Sequence, residues 1–522
     1  MGIKSFYVRR LGGYLLRGLA DNALPVIAAE WRNAGRREPN TALLEHLFGV
    51  AAGDPDRPRS WWERPGLGLM FQIEARPGWW WQRNFDRFNA SLKGPDGSLR
   101  FEGPFPQMAE WVALSQRLGC DYHMYEAKWH DGICNWDTQQ TLWKTPTDYC
   151  RQFADESRAA GIPYGFYYSV VFDHNPDFDE IQPLRRSTSS HLAMRGGKGA
   201  ALRKSLGFTQ ITRLLFWNRD RELARTGVRI RRPTPHFDEF ELNDFTYDRE
   251  RYVRYVLAQL EELCGEYGAE LIWADWFGAR GDAMSNEVME FMRERYPRVV
   301  LTFNLSLMYR PRWAHYLCSE AHGIANTWKQ VSRYRRLRGA WELVSPAALS
   351  WDVPQPKPNP IENALVAAMI MAAGGKVNFG VASEMDGSLR PEVVAQLEAL
   401  GQWYRSRKSL FIDAVPMRCT GAGIPGVHLR GRAGRYRYLG TEHAGDRLLH
   451  VFDLLARGLP AEAPVRIGFA GPEWQNVDEI RLEPSGRRLE IEERRTGLAV
   501  EIPASSIDLI DTILRIRRRG AS

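Results

Sequence analysis

Cysteine is scarce in this chain, and it is absent from every spacing that would give it a chemical role. Six thiols occur in 522 residues, at Cys120, Cys134, Cys150, Cys264, Cys318 and Cys419. No two are spaced as in a zinc knuckle or a dithiol redox motif, so buried free thiols in a reducing, cytoplasmic setting are expected. The chain also lacks an apolar run of the roughly 20 residues that a membrane-spanning helix needs. Arg9-Arg10 precede an apolar stretch, but Arg17, Asp21 and Asn22 interrupt it, and no export signal is expected. Residues 1–59 read as a helical N-terminal extension, with a weak membrane-surface contact open to its amphipathic part, 5–33. There is no phosphate-binding loop, no dinucleotide fingerprint and no cluster of metal-ligand residues. His191, His236, His315, His322, His428, His443 and His450 are scattered, so no cofactor and no metal are expected. The net charge is +7, but no basic helix interleaved with aromatics marks a nucleic-acid module, and no nucleic-acid partner is expected.

Tryptophan, by contrast, is abundant at 19 residues, which suits a flat-faced ligand such as a sugar, although packing in a large core accounts for most such residues. Apolar runs of strand length alternate with helical spacings over some 300 residues of the chain. Strand candidates are 68–73, 121–127, 164–171, 269–274 and 299–304. Helices are expected over 105–118, stopped by Gly119, from a Thr147 cap to near Gly161, and over 247–267. This alternation predicts an α/β fold, a (β/α) barrel over 60–409. From about residue 410 the pattern changes to short strands with turn residues between them, which predicts a C-terminal antiparallel β-sandwich domain over 410–522.

In such a barrel the chemistry sits where strands end on their C-terminal side. The residues at those ends are Gln72 and Glu74, His130 and Asp131, Tyr167 and Tyr168, Trp273 and Asp275, Asn304, and Glu320. Two stretches stand out, Glu126-Ala-Lys-Trp-His-Asp-Gly-Ile-Cys-Asn-Trp-Asp137 and Leu271-Ile-Trp-Ala-Asp-Trp-Phe-Gly278. Carboxylates and tryptophans at strand ends suit a site that stacks and cleaves sugars.

In these motifs the chain resembles the α-L-fucosidases of glycoside hydrolase family 29, from about residue 60 onward. A signature of the type A-K-H-H-D-G-F-x-x-W-D reads here as Ala127 to Asp137. The G-x-Y-Y-S strand reads as Gly165 to Ser169, and the W-x-D strand as Trp273-Ala-Asp275. A later glycine-rich region is matched more loosely by Gly374 to Val381 with Asp386-Gly387, and a following helix by Leu397-Glu-Ala-Leu-Gly-Gln-Trp403. The resemblance implies a retaining exo-glycosidase with Asp275 as nucleophile, the alternative for Asp275 being an ion pair with an arginine such as Arg280. Glu320 best matches the general acid/base, which would need a raised pKa. Glu74, Glu126 and Glu342 are its rivals. Gln72, Glu74, Trp129, His130, Trp136, Tyr168, Trp273 and Asn304 are expected to bind the substrate.

Three departures bear on the sugar. Gln72 stands where the family has a histidine, Trp129 replaces the first histidine of the H-H pair, and Asn304 is followed by Leu305 and Ser306 without the expected arginine. The expected activity is therefore hydrolysis of an α-L-fucoside or a related sugar. The alternatives are a glycosidase of changed specificity and a non-catalytic glycan binder on the same scaffold. A basic insertion at about 185–232, carrying Arg185, Arg186, Arg203, Lys204, Arg229, Arg231 and Arg232, reads as a solvated loop or as a lid for an anionic glycan. Assembly into a homo-oligomer is also expected.

Overall fold

The computed structural model describes residues 60–73, 92–100, 106–170, 173, 175–178, 249–275, 284–304, 314–335, 339–349, 351, 355–384, 386–417, 424–430, 435–458 and 463–519. The N-terminal extension, Glu74, Arg280, Cys419 and the basic insertion lie outside the described residues.

Eight parallel strands form one sheet: β1 (Gly66–Gln72), β2 (Tyr122–Lys128), β3 (Tyr164–Ser169), β4 (Leu271–Asp275), β5 (Val300–Phe303), β6 (Leu317–Glu320), β7 (Trp341–Pro346) and β8 (Lys376–Ala382). Their order, β5-β4-β3-β2-β1-β8-β7-β6, has β1 pairing with both β2 and β8. The seam between β5 and β6 is bridged just before β6. His315 donates its backbone N–H to the Leu301 carbonyl at 2.9 Å, and Thr302 Oγ1 donates to the Tyr316 carbonyl at 2.8 Å. The sheet is thus a nearly closed barrel.

Helices α1 (Met108–Leu118), α2 (Tyr149–Ala160), α3 (Arg249–Glu261), α4 (Met284–Arg295), α5 (Gly323–Tyr334), α6 (Glu362–Ala372) and α7 (Pro391–Arg405) follow the strands. The N-cap of α2 is Asp148, not Thr147, its carboxylate accepting from the Arg151 N–H at 2.8 Å. Gly119 ends α1 in the left-handed conformation, φ 73°, which glycine adopts without strain.

Strand alternation separates two cores. Leu67, Leu69 and Phe71 of β1 face outward and join Trp111, Leu114 and Leu118 of α1. Met70, Tyr122, Met124, Tyr167, Leu271, Trp273, Val300, Cys318 and Val344 fill the barrel interior. These strands are buried on both faces, which is why they read as near-continuous apolar runs. Gly68 is required by the filling of the interior: a Cβ there would lie 2.4 Å from the Tyr122 ring.

The C-terminal strands are β9 (Val415–Pro416), β10 (Val427–Arg430), β11 (Tyr436–His443), β12 (Asp446–Asp453), β13 (Val465–Ala470), β14 (Val477–Glu483), β15 (Arg487–Arg488), β16 (Ile491–Arg494), β17 (Gly497–Ile502) and β18 (Thr512–Arg518). They form two antiparallel sheets, β10-β13-β17-β16 and β15-β14-β18-β12-β11-β9, closed over a core that includes Ile467, Phe469, Ile480, Val500 and Leu514. This is the expected sandwich. Helix α6 lies between β8 of the barrel and β11 and β12 of the sandwich. That position explains a helix with apolar residues on every side and burial from Asn363 to Ala372.

Candidate active site

Five strand ends converge at the C-terminal mouth of the barrel. Asp275 ends β4 and is 8 % exposed. Tyr167, inward on β3, donates its hydroxyl to Asp275 Oδ2 at 2.6 Å. Asn304, just past β5, donates its amide to Asp275 Oδ1 at 3.0 Å and to Glu320 Oε1, at the end of β6, at 2.8 Å. His130 follows β2. Its Nε2 lies 3.8 Å from Asp275 Oδ2, and its Nδ1 is 2.7 Å from Ser169 Oγ. Glu320 is half-buried, and its Oε2 meets His322 Nε2 at 3.1 Å. Both oxygens of the Asp275 carboxylate thus accept hydrogen bonds, from the Tyr167 hydroxyl and the Asn304 amide, which orient it.

Aromatic rings frame the site. Trp129 stacks on His130, with centroids 4.9 Å apart and planes 24° apart. Trp273 lies beneath Tyr167, stacked at 5.4 Å and 22°. Trp351 meets His322 edge-on. Trp351 and Gln72 also fill the space beside Gly380, where a Cβ would lie 2.0 Å from the Trp351 ring and 3.0 Å from Gln72 Oε1.

Below this mouth the barrel has a polar floor. Glu342, fully buried, accepts from Trp273 Nε1 at 2.9 Å, Cys318 Sγ at 3.4 Å, Tyr316 at 3.3 Å and the Tyr122 hydroxyl. Burial first, then the Glu342 charge, pushes the Tyr122, Tyr316 and Cys318 groups well above their ordinary values, so they stay protonated and donate. Lys376 caps the floor from β8. It donates to the Trp62 carbonyl at 2.5 Å and sits 3.8 Å over the Tyr316 ring. Desolvation lowers it to about 8 although Glu342 pulls the other way. Among the described residues no group of His, Cys, Asp and Glu is arranged to hold a metal ion.

A model of the α-L-fucosidase family matches residues 95–408. The chain belongs to the α-L-fucosidase family. That is a family of glycoside hydrolases. Solved structures of similar fold include α-L-fucosidase isoenzyme 1 from Paenibacillus thiaminolyticus, 20 % identical over 88 % of this chain and 98 % of that one, with a TM-score of 0.59. Thermotoga maritima α-fucosidase is 16 % identical over 92 % and 100 %, TM-score 0.57. A glycoside hydrolase family 29 α-L-fucosidase from Bacteroides thetaiotaomicron is 15 % identical over 91 % and 99 %, TM-score 0.58. No curated sequence relative matches.

In this α-L-fucosidase family member the structure brings together Gln72, Trp129, His130, Asp275, Asn304 and Glu320 of the residues expected at the site, with Trp273 below them, bound to Glu342 on the floor. It sets two others apart. Tyr168 points to the helix layer, where its hydroxyl donates to Gln259 at 2.6 Å and receives the Lys128 ammonium at 3.0 Å. Tyr167 holds the inward position instead. Trp136 is fully buried outside the barrel, its indole N–H bound to Glu262 Oε2 at 2.8 Å, so it offers no face to a sugar. Glu342, a rival for the acid/base role, is sealed on the floor with four donors around it. Sequence reasoning missed Ser169, His322 and Trp351. The pairing of Ser169 with Asp275 follows from strand register, but His322 and Trp351 stand past strand ends where no periodicity places them.

Proposed function

We propose that the protein is a retaining exo-glycosidase, with Asp275 as nucleophile and Glu320 as general acid/base. The observation that carries this is the Asn304 amide shared by both carboxylates. Two oxygens bound at 3.0 and 2.8 Å to one nitrogen lie within about 6 Å of each other, the close spacing of retaining enzymes and not the roughly 6.5–9.5 Å that leaves room for an inverting water. Asp275, sunk in the barrel and oriented by Tyr167 and Asn304, attacks the anomeric carbon. Glu320, nearer solvent, protonates the departing oxygen and then deprotonates the water that releases the sugar. His130 and Gln72 supply hydrogen bonds to sugar hydroxyls, and Trp129 supplies an aromatic face. The Bacteroides relative of the same fold is described as a trapped covalent intermediate with 2-fluoro-fucosyl fluoride, which supports a covalent route here.

The favoured substrate is an α-L-fucoside. A changed sugar is the second reading, supported by Gln72 beside Trp351 and by Trp129 in place of polar groups, because a pocket that hydrogen-bonds particular hydroxyls discriminates strongly when those groups change. The test is hydrolysis of a panel of aryl glycosides by the wild type and Asp275→Ala. Fucoside hydrolysis lost in the variant supports the first reading. Turnover of another glycoside, lost in the same variant, supports the second. No turnover, with glycan binding retained, would make the protein a binder.

A further inference from the structure

The barrel registers place a third carboxylate level with the proposed catalytic pair. Glu126 pairs with Tyr167, and Tyr167 with Trp273. Phe71 stands opposite Tyr125, which sets Gln72 opposite Glu126. In an eight-stranded barrel of shear 8, each step from strand to strand shifts the level by about one residue. Closure of the ring fixes the sense of that shift. Across β5, the partners of Trp273 lead to Thr302 and so to Tyr316, before β6 begins. The other way round, through β3, β2, β1, β8 and β7, the same ring climbs past Glu320. Two steps from β4 to β2 therefore equal two residues, and Glu126 comes level with Asp275.

Two further steps bring Gly380 to that level, and two more bring Glu320. Glu126, Asp275, Glu320 and Gly380 thus form one layer drawn from alternate strands, the normal filling of such a barrel. Tyr122 and Met124 line the interior while Tyr125 and Ala127 face the helices, so alternation turns Glu126 inward. It is 1 % exposed. Gly380 contributes no side chain, and the Trp351 ring takes its place in the layer with the Gln72 amide beside it.

We infer that Glu126 is a specificity-determining residue that accepts a hydrogen bond from one hydroxyl of the bound sugar, beside Gln72. This rests on the glycosidase reading above. An ionised carboxylate only accepts, whereas the Gln72 amide also donates. Together they match both the hydrogen and the oxygen of a single hydroxyl on a pyranose. The acid/base role falls to Glu320 and not to Glu126, because Glu320 is the half-buried carboxylate at the mouth, where a leaving group departs.

The test is a cycle between enzyme and substrate. Wild type and Glu126→Gln are assayed on the aryl glycoside that the wild type hydrolyses and on its monodeoxy analogues. For the wild type, one deoxy analogue should lose about 10- to 100-fold in kcat/KM, the effect of one hydrogen bond to a charged group. Glu126→Gln should lose a similar factor on the parent glycoside and little more on that analogue, with the basic limb of its pH profile in place. Equal losses on every analogue would overturn the inference, and so would disappearance of the basic limb. If Glu126→Gln does not fold, Glu126→Asp takes its place in the same cycle. If the wild type hydrolyses nothing, calorimetry with iminosugars of the configurations in the glycoside panel, the fuco form among them, decides. Binding weakened by Glu126→Gln supports the inference, and equal binding overturns it. A wild type that neither hydrolyses nor binds refutes the glycosidase reading and this inference with it, whereas an active wild type with an indifferent Glu126 refutes the inference alone.

Discussion

The hydroxyl of Tyr167 donates a 2.6 Å hydrogen bond to Oδ2 of Asp275, while its neighbour Tyr168 turns away into the helix layer. One residue of strand parity separates a group that orients the nucleophile from one that holds the scaffold. Tyr167→Phe should therefore lower kcat/KM by about 10- to 100-fold, the scale of a hydrogen bond to a charged group, with little change in melting temperature. Tyr168→Phe should do the reverse. It strands Gln259 and weakens the hold on Lys128, costing about 1–3 kcal/mol of stability with activity per folded molecule retained. Steady-state kinetics and denaturant unfolding on both variants check the pair.

Asn304 holds the two carboxylates together. Asn304→Ala should reduce kcat more than it raises KM, because the positions of both groups loosen. Asn304→Asp should be worse at neutral pH and should move the acidic limb of the pH–rate profile upward. The sign follows from a negative charge added beside Asp275, which disfavours ionisation of the attacking carboxylate. An unmoved acidic limb in Asn304→Asp would remove Asn304 from this role.

The lowered Lys376 gives a stability signature. Its value of about 8 in the fold lies below the ordinary 10.5. Below pH 8 both folded and unfolded chains carry the proton, and the cost of burying the charge is present in full. Between about pH 8 and 10.5 the unfolded chain binds more protons, so this cost fades as pH rises. Stability of the wild type relative to Lys376→Met should therefore be flat below pH 7 and climb in favour of the wild type through that window, by up to about 3 kcal/mol. Denaturant unfolding at a series of pH values measures it.

The junction between barrel and sandwich contains a buried pair. His450 Nδ1 meets Asp511 Oδ2 at 2.7 Å, both side chains fully buried, with Phe411 and Phe452 stacked on the imidazole. His450→Phe leaves the buried Asp511 carboxyl without this hydrogen-bond partner and should cost about 1–3 kcal/mol. Activity per folded molecule should persist, because the pair lies outside the barrel mouth. Thermal unfolding alongside active-site titration separates the two effects.

Much of this architecture is legible in the chain. Runs such as those around β1 and β4 announce strands buried on both faces, and Gly119 and Gly161 mark where helices end. The carboxylate after Leu271-Ile-Trp-Ala sits where a barrel places chemistry. What the chain conceals is the direction of a side chain in an aromatic strand. Tyr-Gly-Phe-Tyr-Tyr-Ser has no polar alternation, so nothing in it tells Tyr167 from Tyr168, and only the pairing with Trp273 and Asp275 does. Trp136 misled for a similar reason. Its motif is polar and lies beside the site in sequence, but the loop after β2 turns the indole away to Glu262, just past the end of α3. The register bulge between Glu126 and Lys128 is equally invisible. Alternation alone would turn Lys128 inward like Glu126; the bulge turns it outward instead, where it pairs with Asp173 at 2.5 Å.

The most direct measurement is to trap the enzyme with a 2-deoxy-2-fluoro glycosyl fluoride of the sugar it hydrolyses and to map the label by mass spectrometry. The expected result is one sugar per chain, on the peptide containing Asp275, with no label in Asp275→Asn and a first-formed product of retained anomeric configuration. Label on another carboxylate, or a first-formed product of inverted configuration, would contradict Asp275 as the nucleophile of a retaining glycosidase.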